Sequence, residues 1–390
     1  MPSTTTARRT AKSRPKAPKI SQPAHQRFVD RLTRLRAGMA KAGLPAALIT
    51  SPKDVGYLTG FLGGDSYLLL TATGAVILSD SRYDEELEPC RPFCDVVIRK
   101  KLMSDALADL LTAHRIKRLG IQPEHATLAT RSAIASKASG VELVEAPGIV
   151  ARLRILKDEH EIKAIKKAIA IQEEALEATL KFIAARLRKG PSSEMEVAAK
   201  LEFEMKIRGS SAPGFETIVG AKANGSLPHY RPHDVKFSRN HPVLIDWGAI
   251  YNGYHGDMTR VFCWGKFPAK VREIYSIVLE AHEQSAAALA PGKSVRAVDE
   301  VARGIIRRAG YEQQFGHGLG HGMGLDGHEG PSLSHLAEDR PLEPGMVVTI
   351  EPGIYLPGIG GVRIEDDFLI TEKGAVNLCT LPKDLDYATR

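Results

Sequence analysis

A chain of 390 residues and 42.4 kDa, 43% hydrophobic and 25% charged, is long for one domain and ordinary for a globular protein, so two domains are expected. The formal charge of +7 belongs to one end: residues 1–27 hold seven basic side chains and no acid, the remainder is balanced, and a basic nucleic-acid-binding face is therefore not expected. Four scattered cysteines exclude a disulfide framework, and the lack of a secretory apolar core or of any run of about 18 apolar residues points away from export and membrane spanning, towards the cytoplasm.

Residues 1–25, rich in Ser, Thr, Pro, Ala and Lys/Arg, read as a disordered basic tail. From 26 to 150, short apolar runs alternate with amphipathic stretches. Phe28, Leu32, Leu35 and Met39 mark a helix closing at Gly43. Strands are expected at 46–50, 67–70, 75–78, 95–98 and 119–121, with helices near 103–115 and 127–137, which makes a mixed α/β domain.

Pro147-Gly148 marks a linker, and residues 151–390 form the second domain. Its first helix opens at Lys157-Asp-Glu-His-Glu161 and carries Ile162, Ile165, Ile169, Leu176, Leu180, Ile183 and Leu187 until Gly190-Pro191 stops it. A helix over 193–208 follows. The period then changes to two, giving strands at 216–219, 242–245 and 258–262. Helices over 268–290 and 294–309 precede strands near 346–355, 361–370 and 375–380. The layout is α+β, with long helices covering a curved, mainly antiparallel sheet.

The chemistry-bearing residues lie in this second domain. Asp246 and Asp257 flank Tyr251-Asn-Gly-Tyr254, whose Asn-Gly is a hairpin signal, so both carboxylates are expected on adjacent antiparallel strands. Glu351 and Glu365 are expected in a second strand pair. His321 sits in Gly316-His-Gly-Leu-Gly-His321-Gly, too glycine-rich for a helix and hence not a zincin pair. Four acids in apolar strand settings are too costly to bury without counter-cations. With one imidazole they carry a formal charge of about −4, which two divalent ions neutralise, and oxygen donors favour Mn, Mg, Co or Zn. Covalent catalysis is not expected, for no Gly-x-Ser-x-Gly elbow or set-up cysteine is present. Two metals would instead bind a bridging water, lower its pKa and polarise the carbonyl it attacks.

These motifs, over about 215–370, resemble the pita-bread metallopeptidases, specifically the Xaa-Pro branch of prolidase and aminopeptidase P, and Asp54-Val-Gly-Tyr-Leu-Thr-Gly-Phe61 resembles a segment of the family's amino-terminal domain. The resemblance implies a pita-bread (creatinase/aminopeptidase-type) catalytic domain, a homodimer, short proline-containing peptides as substrates and two divalent ions, with Mn expected and Co or Zn as alternatives. It further implies that Asp246 chelates one metal, that Asp257 and Glu365 bridge both, and that His321 and Glu351 complete the second. Glu351 would also accept the proton of the attacking water. His229 would shuttle protons, His317 and His328 would line the cleft and stabilise the tetrahedral intermediate, and Tyr355 and Arg363 would occupy supporting or pocket positions. Three readings compete: a metal-free creatinase-like hydrolase, a non-catalytic peptide-binding module of the same fold, and a methionine aminopeptidase.

Overall fold

The structure is a computed structural model that describes residues 22–390. The expected basic tail lies outside these residues apart from its last four positions, which are helical, because α1 (Gln22–Lys41) already begins at Gln22. The chain folds as two units that divide between Leu153 and Arg154.

In the first unit, β1 (Ala46–Ile49), α2 (Pro52–Thr59), β2 (Tyr67–Thr71), β3 (Ala75–Ser79), β4 (Asp95–Ile98), α3 (Met103–Ala113), β5 (Arg118–Ile121), α4 (Leu128–Lys137) and β6 (Glu142–Glu145) follow in order. The strands form one mixed sheet, β4-β3-β2-β1-β5-β6, with β1 antiparallel to β2 and parallel to β5. Leu48, Leu69, Val76 and Leu78 pack with Leu107 and Leu111 of α3 and Ile134 of α4. Burying each such side chain contributes about 1.5–3 kcal/mol. The sequence pattern finds five of these strands and omits β6, which has only two half-buried apolar residues between exposed glutamates. It also omits α2, an eight-residue helix capped by the Ser51 side chain and ended by Gly60 at φ 80°.

The second unit follows α5 (Ala151–Arg154) with α6 (Glu159–Leu187), β7 (Ser192–Ser193), α7 (Glu194–Ile207), β8 (Ile218–Ala221), β9 (Lys236–Phe237) and β10 (Pro242–Trp247). Next come β11 (Ile250–Tyr251), β12 (Tyr254–His255), β13 (Met258–Cys263), α8 (Ala269–Ala288) and α9 (Val295–Arg308). The chain ends with β14 (Gly320–Gly322), β15 (Glu329–Leu333), β16 (Val347–Ile350), β17 (Gly353–Leu356), β18 (Gly360–Arg363), β19 (Asp366–Thr371), β20 (Gly374–Asn377) and α10 (Leu385–Ala388). Both long amino-terminal helices start with reciprocal capping boxes, Asp158 with Glu161 in α6 and Ser193 with Glu196 in α7.

Two antiparallel sheets, β13-β10-β8 and β15-β14-β16-β19-β20, supply the framework of the site. Helices cover both faces. Val243, Ile245, Trp247, Met258 and Phe262 pack with the stripes of α6 and α7, whereas Leu244, Val261 and Cys263 pack with those of α8 and α9. Burial on two faces explains why Pro242-Val-Leu-Ile245 reads as one apolar run. The two-residue period then puts Asp246 on the face of Leu244, opposite its register partner Thr259.

The hairpin expectation needs one correction. Asn252 and Gly253 do turn the chain, at φ 50° and 84°, but they close the separate ribbon β11-β12. Asp257 precedes β13 and is not the register partner of Asp246. The strands expected at 346–355 and 361–370 are likewise each broken in two, leaving Glu351 between β16 and β17 and Glu365 between β18 and β19. Pro352 cannot donate to a ladder, and the chain changes partners there, from the β16–β19 pairing to the β17–β18 ribbon.

Candidate metal centre

A cavity of about 440 Å³ collects residues far apart in sequence, including Asp246, Asp257, His321, Glu351 and Glu365. Three of these, Asp257, His321 and Glu365, offer ligand atoms that all lie within 4.8 Å of one another. Glu351 joins them through Oε1, 3.3 Å from His321 Nε2, which is 3.9 Å from Asp257 Oδ2. Asp246 lines the same cavity but leans on Arg363, whose NH2 donates to Asp246 Oδ2 at 2.5 Å. Its Oδ1 is buried without a hydrogen-bond partner.

Backbone geometry fixes these side chains. Gly320 and Gly322, on either side of His321, allow β14 to lie close between its neighbours; a methyl group at Gly320 would collide with the Thr349 carbonyl and one at Gly322 with the Gly330 carbonyl. The His321 Nδ1 lies 3.0 Å from the Gly322 carbonyl, to which it donates, and Nε2 faces Glu351 as the atom that would take a cation. The Glu351 amide bonds the Leu319 carbonyl, and the Glu365 amide bonds that of Thr259.

A directed hydrogen-bond chain runs behind the carboxylates. Arg363 only donates: Nε to Thr259 Oγ1 at 3.0 Å, NH1 to the Tyr355 hydroxyl at 2.8 Å and NH2 to Asp246. The Thr259 hydroxyl in turn donates to Glu365 Oε2 at 2.7 Å. The Tyr355 hydroxyl lies 2.9 Å from His317 Nε2, while His317 Nδ1 lies 2.7 Å from the Gly318 carbonyl. Because Tyr355 accepts from Arg363, its proton points to His317, which is then neutral with both ring nitrogens engaged. Burial lowers the His317 pKa and lifts that of Tyr355 to about 12, in keeping with this order.

Electrostatics favour a cation here. Burial, followed by repulsion from Glu365, Asp246, Asp367 and Glu351, raises the Asp257 pKa well above the carboxylate range. Burial and repulsion from Glu351 and Asp246 do the same to Glu365. Burial also raises Asp246, against the pull of Arg363. Glu351 is the exception: burial would lift it, but His321, with Arg363 beyond it, holds it down at about 2. Crowded carboxylates, one unpartnered buried oxygen and a preset imidazole nitrogen are a donor set that fits divalent ions.

Of the remaining expected residues, His229, His317, His328 and Arg363 line the cavity, whereas Tyr355 stands behind the wall. His229 is exposed. The His328 ring stacks on His321 with centroids 3.6 Å apart, and burial together with the His321 charge lowers its pKa to about 4. Sequence reasoning did not single out Thr259, or Asp367, whose Oδ2 accepts the Asp257 amide at 3.1 Å. It also passed over Phe215, Tyr230 and the ion pair of Glu216 with Arg231, all on the cavity lining. Thr259 lies in β13 and Asp367 in β19, each two residues past a ligand-type residue that stands outside the strand, so strand periodicity does not single them out.

Residues 163–372 match the metallopeptidase family M24, and residues 31–156 match the creatinase/prolidase N-terminal domain. The chain is 36% identical over 350 residues to an Xaa-Pro dipeptidase of Pyrococcus horikoshii, covering 89% of this chain and 96% of the relative. Among solved structures, an Xaa-Pro dipeptidase from Bacillus anthracis superposes with a TM-score of 0.88 at 35% identity, covering 92% of this chain and 99% of that one. An X-Pro aminopeptidase from Thermotoga maritima gives 0.82 at 35%, covering 89% and 99%. The expected α+β architecture, a pita-bread catalytic domain after a mixed α/β domain, agrees with these likenesses. With its crowded carboxylates explained as a site for divalent metal ions, the chain belongs to metallopeptidase family M24 and is a metallo-exopeptidase.

Proposed function

We propose that the protein hydrolyses the Xaa-Pro bond at the amino end of short peptides or dipeptides, using two divalent ions held by Asp246, Asp257, His321, Glu351 and Glu365. Manganese is the ion expected, with cobalt or zinc able to replace it. The observation that carries this reading is the meeting of Asp257, His321 and Glu365 ligand atoms within 4.8 Å on the lining of a cavity large enough for a small peptide. When bound, such ions lower the pKa of a water and polarise the carbonyl it attacks.

The chain's own residues supply the rest. Glu351, on the cavity lining beside His321, accepts a proton from the attacking water. His328, on the cavity lining with its ring against His321, donates to the carbonyl oxygen as charge develops there. His317 has both nitrogens engaged, so its part is to hold Tyr355 and the cavity wall. His229, exposed on the lining, brings the proton that the departing proline nitrogen requires. A homodimer in the cytoplasm completes the reading, supported by family likeness; no described helix is long and apolar enough to cross a membrane.

Turnover of Gly-Pro, a proline-containing tripeptide and Met-Ala, with manganese supplied and then chelated, tests the proposal. Cleavage of the proline peptides alone, lost on chelation and restored by manganese, is the expected result. Preference for Met-Ala, or undiminished turnover by stripped protein, would overturn it. Turnover of the dipeptide alone assigns a dipeptidase, and turnover of the tripeptide an aminopeptidase. Light scattering checks for twice the chain mass. A metal-free creatinase-like hydrolase and a peptide-binding module have no use for four crowded carboxylates, and chelation separates both from the proposal.

A further inference from the structure

His328 lies on a short connection between two paired positions, Gly322 and Glu329, which face each other across β14 and β15. Loops of this kind move unless something ties them down. Here the backbone is held at one point by His255, whose amide donates to the Gly324 carbonyl at 2.9 Å. A second attachment involves charge. Arg154 NH2 donates at 2.6 Å both to Asp326 Oδ2 and to Glu329 Oε2, and Lys157 Nζ lies 2.8 Å from Glu329 Oε1. Two cations thus meet two carboxylates that bracket His328 in sequence.

The cluster is buried in a way that surface pairs are not. The Lys157 side chain is fully buried, that of Arg154 is 6% exposed and that of Glu329 is 11% exposed. Lys157 also donates to the Ile155 carbonyl at 3.2 Å, and its amide bonds the Gly345 carbonyl, so the side chain has a fixed base. Gly324 leaves room for the cluster, since a methyl group there would press on the Glu329 carboxylate and the Lys157 stem. Pairs of this kind contribute little net stability over apolar packing, yet losing one partner strands a buried charge. Such an arrangement defines a position more than it stabilises a fold. Its outcome is a His328 ring kept close to parallel with His321, at 22°, beside the ligand atoms.

We propose that Arg154 and Lys157 are positioning residues for His328, acting through the Asp326 and Glu329 carboxylates. The catalytic consequence rests on the proposed role of His328 in peptide hydrolysis. The positional consequence does not depend on it.

The test compares wild type with Lys157→Met, Lys157→Arg, His328→Ala and the double variant Lys157→Met/His328→Ala, measuring Gly-Pro turnover, bound metal and hydrogen exchange over residues 323–329. Lys157→Met is expected to lower kcat by about tenfold or more, with KM within about twofold and metal retained, and Lys157→Arg to recover most of the loss. Exchange in the loop should rise in Lys157→Met. The double variant should be no slower than His328→Ala, because both changes remove one function. Additive losses, or an unchanged loop in Lys157→Met, would overturn the proposal. If Lys157→Met does not fold, Asp326→Asn, which weakens the more exposed Arg154 contact, is read in the same way. If wild type cleaves none of the peptides, the functional reading falls while loop exchange still decides the positional claim.

Discussion

Arg363 NH2 and Asp246 Oδ2 lie 2.5 Å apart, and the same guanidinium reaches Thr259 and Tyr355, so one cation touches the supports of Asp246, Glu365 and His317 together. It is the nearest thing to a permanent counter-charge in a floor of four acids. Replacing Arg363 by Met should therefore lower kcat/KM by about 10–100-fold, the range for residues that orient metal ligands. Arg363→Lys should recover only part of this, since an ammonium cannot present three donors in one plane. Steady-state kinetics with metal analysis would check both, and wild-type kinetics in Arg363→Met would count against the hub.

Tyr355→Phe removes the hydroxyl that joins Arg363 to His317 while leaving the packed ring in place. Losing both of its hydrogen bonds, and leaving a buried guanidinium N–H and the His317 Nε2 unpaired, should cost about 1–3 kcal/mol of stability. We expect a fall in Tm, retained metal and reduced kcat. A change confined to KM would instead place the hydroxyl against substrate.

Asp257→Asn and Glu365→Gln should empty the metal site and yet make the chelated protein more stable. Each carboxyl is buried and repelled by its neighbours until its pKa stands well above the ordinary range, so neutralising either relieves strain. Each kcal/mol relieved should raise Tm by about 2–4 °C. Calorimetry of chelated wild type and variants measures the difference, and a lower Tm in both variants would refute the account.

How much of this was legible beforehand follows from what each residue depends on. The five ligand-type residues stand out because acids and a Gly-His-Gly segment in apolar surroundings announce themselves locally. The long helices were equally plain, since their stripes repeat over many turns. Thr259 and Asp367 gave no such signal, because their importance arises only when the β13 and β19 segments meet, bringing Thr259 to Glu365 and Asp367 to Asp257. The breaks at Glu351 and Glu365 were hidden for the same reason: apolar residues continue through them, and only tertiary pairing reveals that the ladder changes partner. Arg154 and Lys157 looked like ordinary basic residues at a helix entrance, and the carboxylates that give them meaning lie some 170 residues away.

Acid should weaken the fold through His282. Its ring is fully buried, and burial pushes its pKa down to about 4; Asp366, 3.6 Å away, pulls it up, while Lys383 and Arg260 lower it further. The unfolded chain takes up this proton near the ordinary value of 6.5, while the folded chain resists until about 4. The contribution of the neutral ring is therefore complete above pH 6.5 and shrinks as pH falls towards 4, by up to about 3 kcal/mol. His282→Phe should flatten the stability profile across this window in denaturant titrations, and an unaltered slope would assign the acid sensitivity elsewhere.

Asp257, Glu351 and Glu365 each sit in a two-residue joint where one strand has stopped and the next has not begun. Such joints have no slack. Deleting or inserting one amino acid within Ile350–Gly353 or Arg363–Asp366 would turn the side chains of the adjoining strand to the opposite face and carry a carboxylate out of the cage. Variation in length is thereby pushed outward to tips such as Asn252-Gly253, where an extra residue lengthens a ribbon and leaves the cage as it is.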